Sequence, residues 1–466
     1  MKKAYFIGAG GIGMAALERY FLSKGYSVAG YDRTETSLTR DLEREGVKIS
    51  YTDSVEDAIP SEFRTPDEDT LVVYTPAVPS QSEVMTFFRE NGFNPVKRAR
   101  ALGHISENSK ALCFAGTHGK TTTSSMAAHI LYTSGIGCNA FLGGILLKYN
   151  TNLILSEASP YTVAEADEYD RSFHQLRPYV AIVTATDPDH LDIYGSEQEY
   201  LEAFSKFTEL IVPEGKLLMH TGLKFKPRVP EGVQIYTYSR DSGDFHAANI
   251  RRENGEITFD LVHPKGIIRD LQLGVPVEIN IENAIAAIGA CLLASDIDDE
   301  SIRKGIASYP GVERRFQFHM RQPGKHGKVV IDDYAHHPDE LASSIASVKA
   351  LYPGRHITVA FQPHLYSRTR DFAKEFATAL SQADAVVLAD IYPAREEPIP
   401  GVTSQIIFDR ITTDDKLMIS KEDFVRTMKN RNFDILLTAG AGDLSFMVPE
   451  LCRQIDSSST INYNND

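Results

Sequence analysis

Residues 115–122 read Ala-Gly-Thr-His-Gly-Lys-Thr-Thr, directly after the apolar run 111–115 and ahead of a helical pattern over 121–132. Gly116, Thr117, His118 and Gly119 form a turn whose backbone N–H groups can converge on anionic oxygens. The following helix N-terminus adds positive potential, the Lys120 ammonium neutralises charge, and the Thr121 hydroxyl, next to Thr122, can ligate magnesium. The chemistry this suits is that of a nucleoside triphosphate. The general G-x-x-x-x-G-K-[ST] pattern wants glycine at 114, where this chain has Phe114, so the shorter Gly116-Thr117-His118-Gly119-Lys120-Thr121 carries the signal. Beyond the loop, residues 162–168 read as a strand ending in acids, and period-2 alternation puts Glu165 and Asp167 on one face, where an acid beside a phosphate loop can hold magnesium. Asp187 is expected to cap a helix begun by Pro188, with His190 in its first turn as a capping residue or a metal ligand. Asn280 and Asn283, spaced i, i+3 ahead of a helix over 284–294, share one face of its start.

A second glycine turn opens the chain. Residues 3–7 read as a buried strand, Gly8, Gly10, Gly11 and Gly13 as a tight turn, and 14–24 as a helix, with Asp32 closing the strand 27–31. This is the layout of a dinucleotide site, in which the acid takes a ribose hydroxyl, but the same glycines serve any diphosphate ligand, including a UDP-sugar. From about residue 311 a third block begins. The strand 328–331 runs into Asp332-Asp333-Tyr334-Ala335-His336-His337-Pro338, a helix covers 339–350, and the strand 356–361 runs into Gln362-Pro363-His364-Leu365-Tyr366-Ser367-Arg368-Thr369-Arg370. Strands at 385–388 and 435–438 complete the layer. Histidines and arginines at strand ends suit the rule that ligands bind outside the carboxyl ends of strands in open α/β sheets.

The elements positioning these groups alternate between strand and helix throughout, which is the pattern of an α/β protein. At about 100–200 residues per domain, 466 residues predict three. The expected divisions are 1–105, 106–310 and 311–455, followed by a polar, disordered tail over 456–466. With 63 acidic and 48 basic side chains the formal charge is −15, which excludes a nucleic-acid motor as the use of the phosphate loop and points to small-molecule substrates. The four cysteines, Cys113, Cys138, Cys291 and Cys452, are dispersed without a C-x-x-C pair, as expected of a reducing cytoplasm and no structural zinc. No apolar run reaches the roughly 18 residues of a membrane span, so no membrane insertion is expected.

Taken in order, Gly-Ala-Gly-Gly-Ile-Gly-Met (8–14), Ala-Gly-Thr-His-Gly-Lys-Thr-Thr-Thr (115–123), Glu-Ala-Asp-Glu (165–168), Asp-His-Leu-Asp (189–192), Asn-x-x-Asn (280–283), Arg-Arg-Phe (314–316), Asp-Asp-Tyr-x-His-His-Pro (332–338) and Phe-Gln-Pro-His (361–364) resemble the Mur ligase family over essentially the whole length up to the tail. The resemblance implies a Rossmann-like N-terminal domain for a UDP-sugar, a P-loop-type central ATPase and a Rossmann-like C-terminal domain. It implies ATP-dependent joining of L-alanine to the carboxylate of UDP-N-acetylmuramate through an acyl phosphate, by a monomer or homodimer with no nucleic-acid partner. Thr121 and Glu165 would serve Mg²⁺, with His190 at a second metal position, and Lys120 would face the phosphates. Asn280 and Asn283 would contact adenine, and Arg315 and Asp333 would reach the nucleotide, Arg315 being chosen over Arg314 by alignment with the family's Arg-Phe-acid pattern. Gly8, Gly10, Gly11, Gly13 and Asp32 would hold the UDP-sugar, and His364 with Arg368 the amino acid.

The chain departs from the family's pattern at Leu365, often arginine, at Ala185, often asparagine, and at Ile279, often histidine. Three alternatives stand beside this one: a ligase that reattaches an intact peptide to the same sugar nucleotide, an NAD-dependent oxidoreductase, and a nucleotide-dependent regulatory binding protein.

Overall fold

The computed structural model describes residues 2–75, 78–79, 81–188, 191–253, 255–324, 327–394 and 396–461. The described residues form mixed α/β architecture built on three sheets that are wholly or mostly parallel, and a further three-stranded sheet over His246–Glu253, Glu256–His263 and Gly266–Gln272. By compactness the chain divides into two units, one of Met1–Ile250, Phe259–Gln272 and Ile281–Tyr309, the other of Arg251–Thr258, Leu273–Asn280 and Pro310–Asp466.

In the first unit, Lys3–Ile7 is the middle strand of an all-parallel five-stranded sheet, flanked by Ser27–Tyr31 and Thr70–Tyr74. The chain leaves Lys3–Ile7 where the strand order reverses, the crevice at which open α/β sheets take ligands. Both faces of this sheet are covered. Tyr5, Ile7, Phe63, Val72 and Phe88 pack on one side, and Phe6, Leu17, Phe21 and Val28 on the other. The middle sheet has seven strands, with Lys110–Ala115 between Val180–Val183 and Tyr161–Glu165. Val180–Val183 is buried at every position, as a central parallel strand must be, which is why it reads as a continuous apolar run. The helix Glu197–Glu209 shows how sequence sets an element. Ser196 accepts from the Glu199 amide, Glu197 and Glu199 favour the positive end, and Tyr200, Ala203, Phe204 and Phe207 form the buried stripe.

The second unit holds a six-stranded sheet in which Gln317–Arg321 is the antiparallel edge and Val329–Asp333, Ile435–Ala439, Ile357–Phe361, Ala385–Ala389 and Asp415–Ile419 run parallel in that order. Its last helix, Val448–Ile461, extends into the stretch expected to be a disordered tail, because Leu451, Cys452 and Ile455 belong to the buried core and carry the helix past residue 456. Residues 462–466 lie outside the described residues. Among the described residues no helix is long and apolar enough to cross a membrane.

Candidate active site

Three neighbouring parallel strands end together in the middle sheet. Ala115 pairs with Val183 and Phe114 with Glu165, so the turn after Ala115 emerges between segment 184–187 on one side and 165–168 on the other. Phe114 is fully buried inside its strand, which explains the missing glycine: the turn starts two residues later. Gly116 has φ +136°, and a Cβ there would stand 2.2 Å from Thr184 Oγ1 and 2.7 Å from the Ala185 nitrogen, so only glycine fits. The Thr117 amide donates to the Ala185 carbonyl at 3.1 Å, and its hydroxyl lies 2.8 Å from both the Asp187 carbonyl and the Tyr200 hydroxyl. His118 is exposed at the tip and its carbonyl accepts from the Thr184 hydroxyl. Gly119, in the left-handed region, caps the helix Lys120–Thr133, which carries Thr121 and Thr122 in its first turn.

Lys120 is the first residue of that helix. Its ammonium donates to the Gly116 carbonyl at 2.6 Å and to both Glu168 oxygens at 2.8 Å. Burial pushes the Glu168 carboxyl up, with Lys120 pulling it back. Glu165 closes its strand and Asp167 lies beyond the strand end, so strand alternation does not place the two acids together. Both nevertheless line one cavity. Glu165 Oε1 accepts from the Gly143 amide at 2.7 Å, and the Ser124 hydroxyl stands 3.4 Å from Glu165 and 3.2 Å from the Thr121 carbonyl, tying the acid to the first turn of the loop helix. Pro188 is not helical, against the expected helix start there; the described helix is Leu191–Tyr194, and His190, with Asp189, lies outside the described residues. The helix Ile279–Ala294 includes both asparagines in its opening turns. Asn283 accepts from the Thr123 hydroxyl at 3.2 Å, whereas Asn280, buried, donates to the Val275 carbonyl at 3.1 Å and so steadies its own helix start.

At the N-terminal glycine turn, Gly8 has φ +90° and a Cβ would stand 2.3 Å from Thr75 Cγ2; Gly10 donates its amide to Asp32 at 2.7 Å, and Gly11 caps the helix Ile12–Ser23, which contains Gly13. Asp32 also accepts from the Thr34 amide at 3.0 Å, so its carboxylate orders the turn. A Cβ on Gly13 would stand 2.9 Å from the Arg98 guanidinium. Gly13, Arg98, Gly143, Asn152, Glu165 and Asp167 help line a cavity of about 140 Å³ in this unit, which brings the glycine turn and the acids of the middle sheet to one space.

In the second unit, the adjacent strands Val329–Asp333, Ile435–Ala439 and Ile357–Phe361 all point their carboxyl ends the same way. Arg314 donates to the carbonyls of Gly440 and Gly442 at 2.7 and 2.9 Å and lies 4.9 Å from the Tyr334 ring centre, near which Arg315 also lies, at 5.1 Å. Arg314 and Phe316, on either side, have φ +59° and +48°, a strained pair of left-handed residues that aims Arg315. Asp333 accepts from the Phe316 and Tyr334 amides at 3.0 and 3.1 Å and from the Ser344 hydroxyl, and burial raises its carboxyl. Its oxygens thus hold the Arg315 turn in place. His336 Nδ1 lies 2.9 Å from the Tyr334 carbonyl and 3.3 Å from Glu340; burial lowers its affinity for a proton, Glu340 opposes this, and Arg368 and Arg315 add to the lowering. His364 stacks on Tyr392 with ring centres 5.8 Å apart and faces the His336 ring at 6.3 Å. Arg368 is on the short helix Tyr366–Asp371, after Leu365 with φ +69°.

Sequence reasoning missed Glu168, Arg98, Gly143 and the clamp made by Arg314. Glu168 had a signal, being the fourth residue of Glu-Ala-Asp-Glu, but strand alternation drew attention to Glu165 and Asp167. Arg98 sits in an ordinary basic cluster, Lys97-Arg98-Ala99-Arg100, that nothing local distinguishes.

Family models cover nearly all of the chain in three pieces: the Mur ligase family catalytic domain over residues 3–110, the Mur ligase middle domain over 114–291 and the Mur ligase glutamate ligase domain over 314–442. UDP-N-acetylmuramate–L-alanine ligase of Phocaeicola vulgatus is 55% identical over 454 residues, covering 97% of this chain and 98% of that protein. The enzyme of the same name from Parabacteroides distasonis is 54% identical over 97% of each chain. Among solved structures, the UDP-N-acetylmuramate-alanine ligase of Thermotoga maritima aligns over 98% of this chain and 100% of its own with a TM-score of 0.76 and 25% identity. A murein peptide ligase of Psychrobacter arcticus aligns over 98% of this chain and 99% of its own at a TM-score of 0.60 and 20% identity, a likeness of fold.

Proposed function

The chain belongs to the Mur ligase family, and from that membership we propose that it joins L-alanine to the carboxylate of UDP-N-acetylmuramate, with ATP converted to ADP and phosphate, as a step in making peptidoglycan precursors in the cytoplasm. The observation that carries the reading is the gathering of the loop amides, Lys120 and Glu165 at three adjacent strand ends, in a chain that matches ligases of this name over 97% of its length. That agreement favours alanine addition over the peptide-reattaching, oxidoreductase and regulatory alternatives. The same proposal divides the chain into three domains, 1–105, 106–310 and 311–455.

A carboxylate is too resonance-stabilised for an amine to attack at neutral pH, so it must first be activated. The sugar nucleotide's carboxylate attacks the γ-phosphorus, ADP leaves, and an acyl phosphate forms. This step sets an anion against a polyanion and needs concentrated positive charge, which Lys120 and the amides of residues 116–119 provide. The Thr121 hydroxyl and Glu165 carboxylate are hard oxygen donors of the kind Mg²⁺ prefers, and His190 is assigned to a second metal position. When bound, Mg²⁺ supplies further neutralisation of the phosphate charge. Asn283 and Asn280 are assigned to the adenine side, and Arg315 and Asp333 to the nucleotide.

The alanine amine then attacks the activated carbonyl, the tetrahedral intermediate collapses with loss of phosphate, and the amide remains. Arg368, with His364, is assigned to the alanine carboxylate. The glycine turn of residues 8–13, ordered by Asp32, is assigned to the UDP diphosphate. The test is incubation with ATP, MgCl₂, UDP-N-acetylmuramate and L-alanine, L-serine or glycine separately, with products weighed by mass spectrometry. The expected product is the alanyl amide, and ¹⁸O placed in the sugar carboxylate should appear in the released phosphate. Its absence from the phosphate would overturn the reading.

A further inference from the structure

The ammonium of Lys120 is held by two partners, the Gly116 carbonyl at 2.6 Å and the Glu168 carboxylate, both of whose oxygens lie 2.8 Å away. The loop cation is thus engaged by a carboxylate that a phosphate would have to displace or share. Its partner is well placed to hold it, because the Glu168 side chain is 2% exposed against 16% for Lys120, so the pair is shielded from water and from screening salt. The segment that carries Glu168 is fixed at the next turn of chain: the Tyr194 hydroxyl donates to the Glu168 carbonyl, and the Arg171 guanidinium lies 4.6 Å from the Tyr194 ring centre. Glu168 follows Glu165 by three residues, beyond the strand end; Glu165 meets Gly143 and Ser124, and Glu168 meets the lysine.

We infer that Glu168 is a positioning residue that latches Lys120, withholding the loop cation from small anions until a triphosphate displaces the carboxylate. The inference rests on the nucleotide reading of the loop given above. A single phosphate or sulfate offers the lysine one or two oxygens in place of a bidentate buried carboxylate, and gains little by the exchange. A nucleoside triphosphate brings loop amides and the adenine side into the same equilibrium, and that surplus releases the lysine. The latch thus lowers affinity for every anion, and costs the weak ones their binding altogether.

The experiment compares the full-length chain with its E168Q and E168D variants by calorimetric titration with the non-hydrolysable analogue AMP-PNP plus MgCl₂, and separately with inorganic phosphate. Glutamine removes the charge, and aspartate withdraws the carboxylate by one methylene. Both variants are expected to bind AMP-PNP more tightly, E168Q by about tenfold, equivalent to about 1.4 kcal/mol, and E168Q is expected to gain millimolar phosphate binding that the unaltered chain lacks. A second readout is the rate at which an N-hydroxysuccinimide ester acylates Lys120, followed by peptide mass spectrometry. That rate should rise in E168Q, and a residue that merely props the fold would not move it upward. Unchanged or weaker AMP-PNP binding in both variants, with Lys120 no more reactive, would overturn the latch. Failure of the unaltered chain to bind AMP-PNP would remove the nucleotide reading itself and the latch with it, so the two failures are distinguishable.

Discussion

Arg314 and Arg315 are neighbours in sequence with opposite duties. Both lie close to the Tyr334 ring, but Arg314 also spends its guanidinium on two backbone carbonyls of the 440–442 turn, while Arg315, between two left-handed residues, acts electrostatically on His336 and Glu340. Arg314→Ala is therefore expected to destabilise the second unit by about 2–4 kcal/mol, because it leaves two carbonyls without their charged donor. Arg315→Ala is expected to change thermal stability by less than about 1 kcal/mol while lowering kcat/KM for the ligase reaction roughly 10²–10³-fold. Thermal melts and steady-state kinetics on the two variants separate these roles, and an equal loss of stability in both would contradict the assignment. At Asp333 the sequence shows an acid at a strand end, and the folded backbone adds its partners, the Phe316 and Tyr334 amides and the Ser344 hydroxyl.

Among the elements, the helix Ile12–Ser23 holds an anomaly. Glu18 is completely buried on it, and neither carboxylate oxygen has a hydrogen-bond partner among the described residues. Burial raises its carboxyl well above the usual 4.5, Arg19 opposing and Asp32 and Glu45 adding to the rise. A raised folded value means the native state keeps a proton the unfolded chain has lost, so stability is highest in acid and falls as pH climbs from 4.5 toward the folded value. Glu18→Met is expected to stabilise the chain by about 1–4 kcal/mol at pH 8, with the gain shrinking as pH approaches 4.5. Denaturant unfolding at both pH values checks this, and a gain independent of pH would sink it. Nothing in the local sequence marks Glu18 as buried: it is the residue after Leu17 on a helix with a polar end. The strands were legible because they are central and continuously apolar, and the two glycine turns because only that residue tolerates their backbone. What the sequence withheld are contacts across strand ends, such as Lys120 with Glu168 and Gly143 with Glu165, since these depend on the order in which strands join the sheet.

For the whole chain, two compact units with separate buried cores predict unfolding in more than one step. Calorimetry is expected to resolve two transitions. AMP-PNP with MgCl₂ at 100 times its dissociation constant should stabilise the unit that contains Lys120 by about 2.7 kcal/mol and shift that transition more than the other. A single transition moved as one by the nucleotide would show instead that the units unfold together. All four cysteines are free and buried, Cys113, Cys138 and Cys291 completely and Cys452 to within 7%. Burial raises each thiol, so little reactive thiolate forms at neutral pH. The native chain therefore offers a silent background for maleimide dyes: one cysteine introduced at an exposed position in either unit can carry a fluorophore without first stripping out the natural ones.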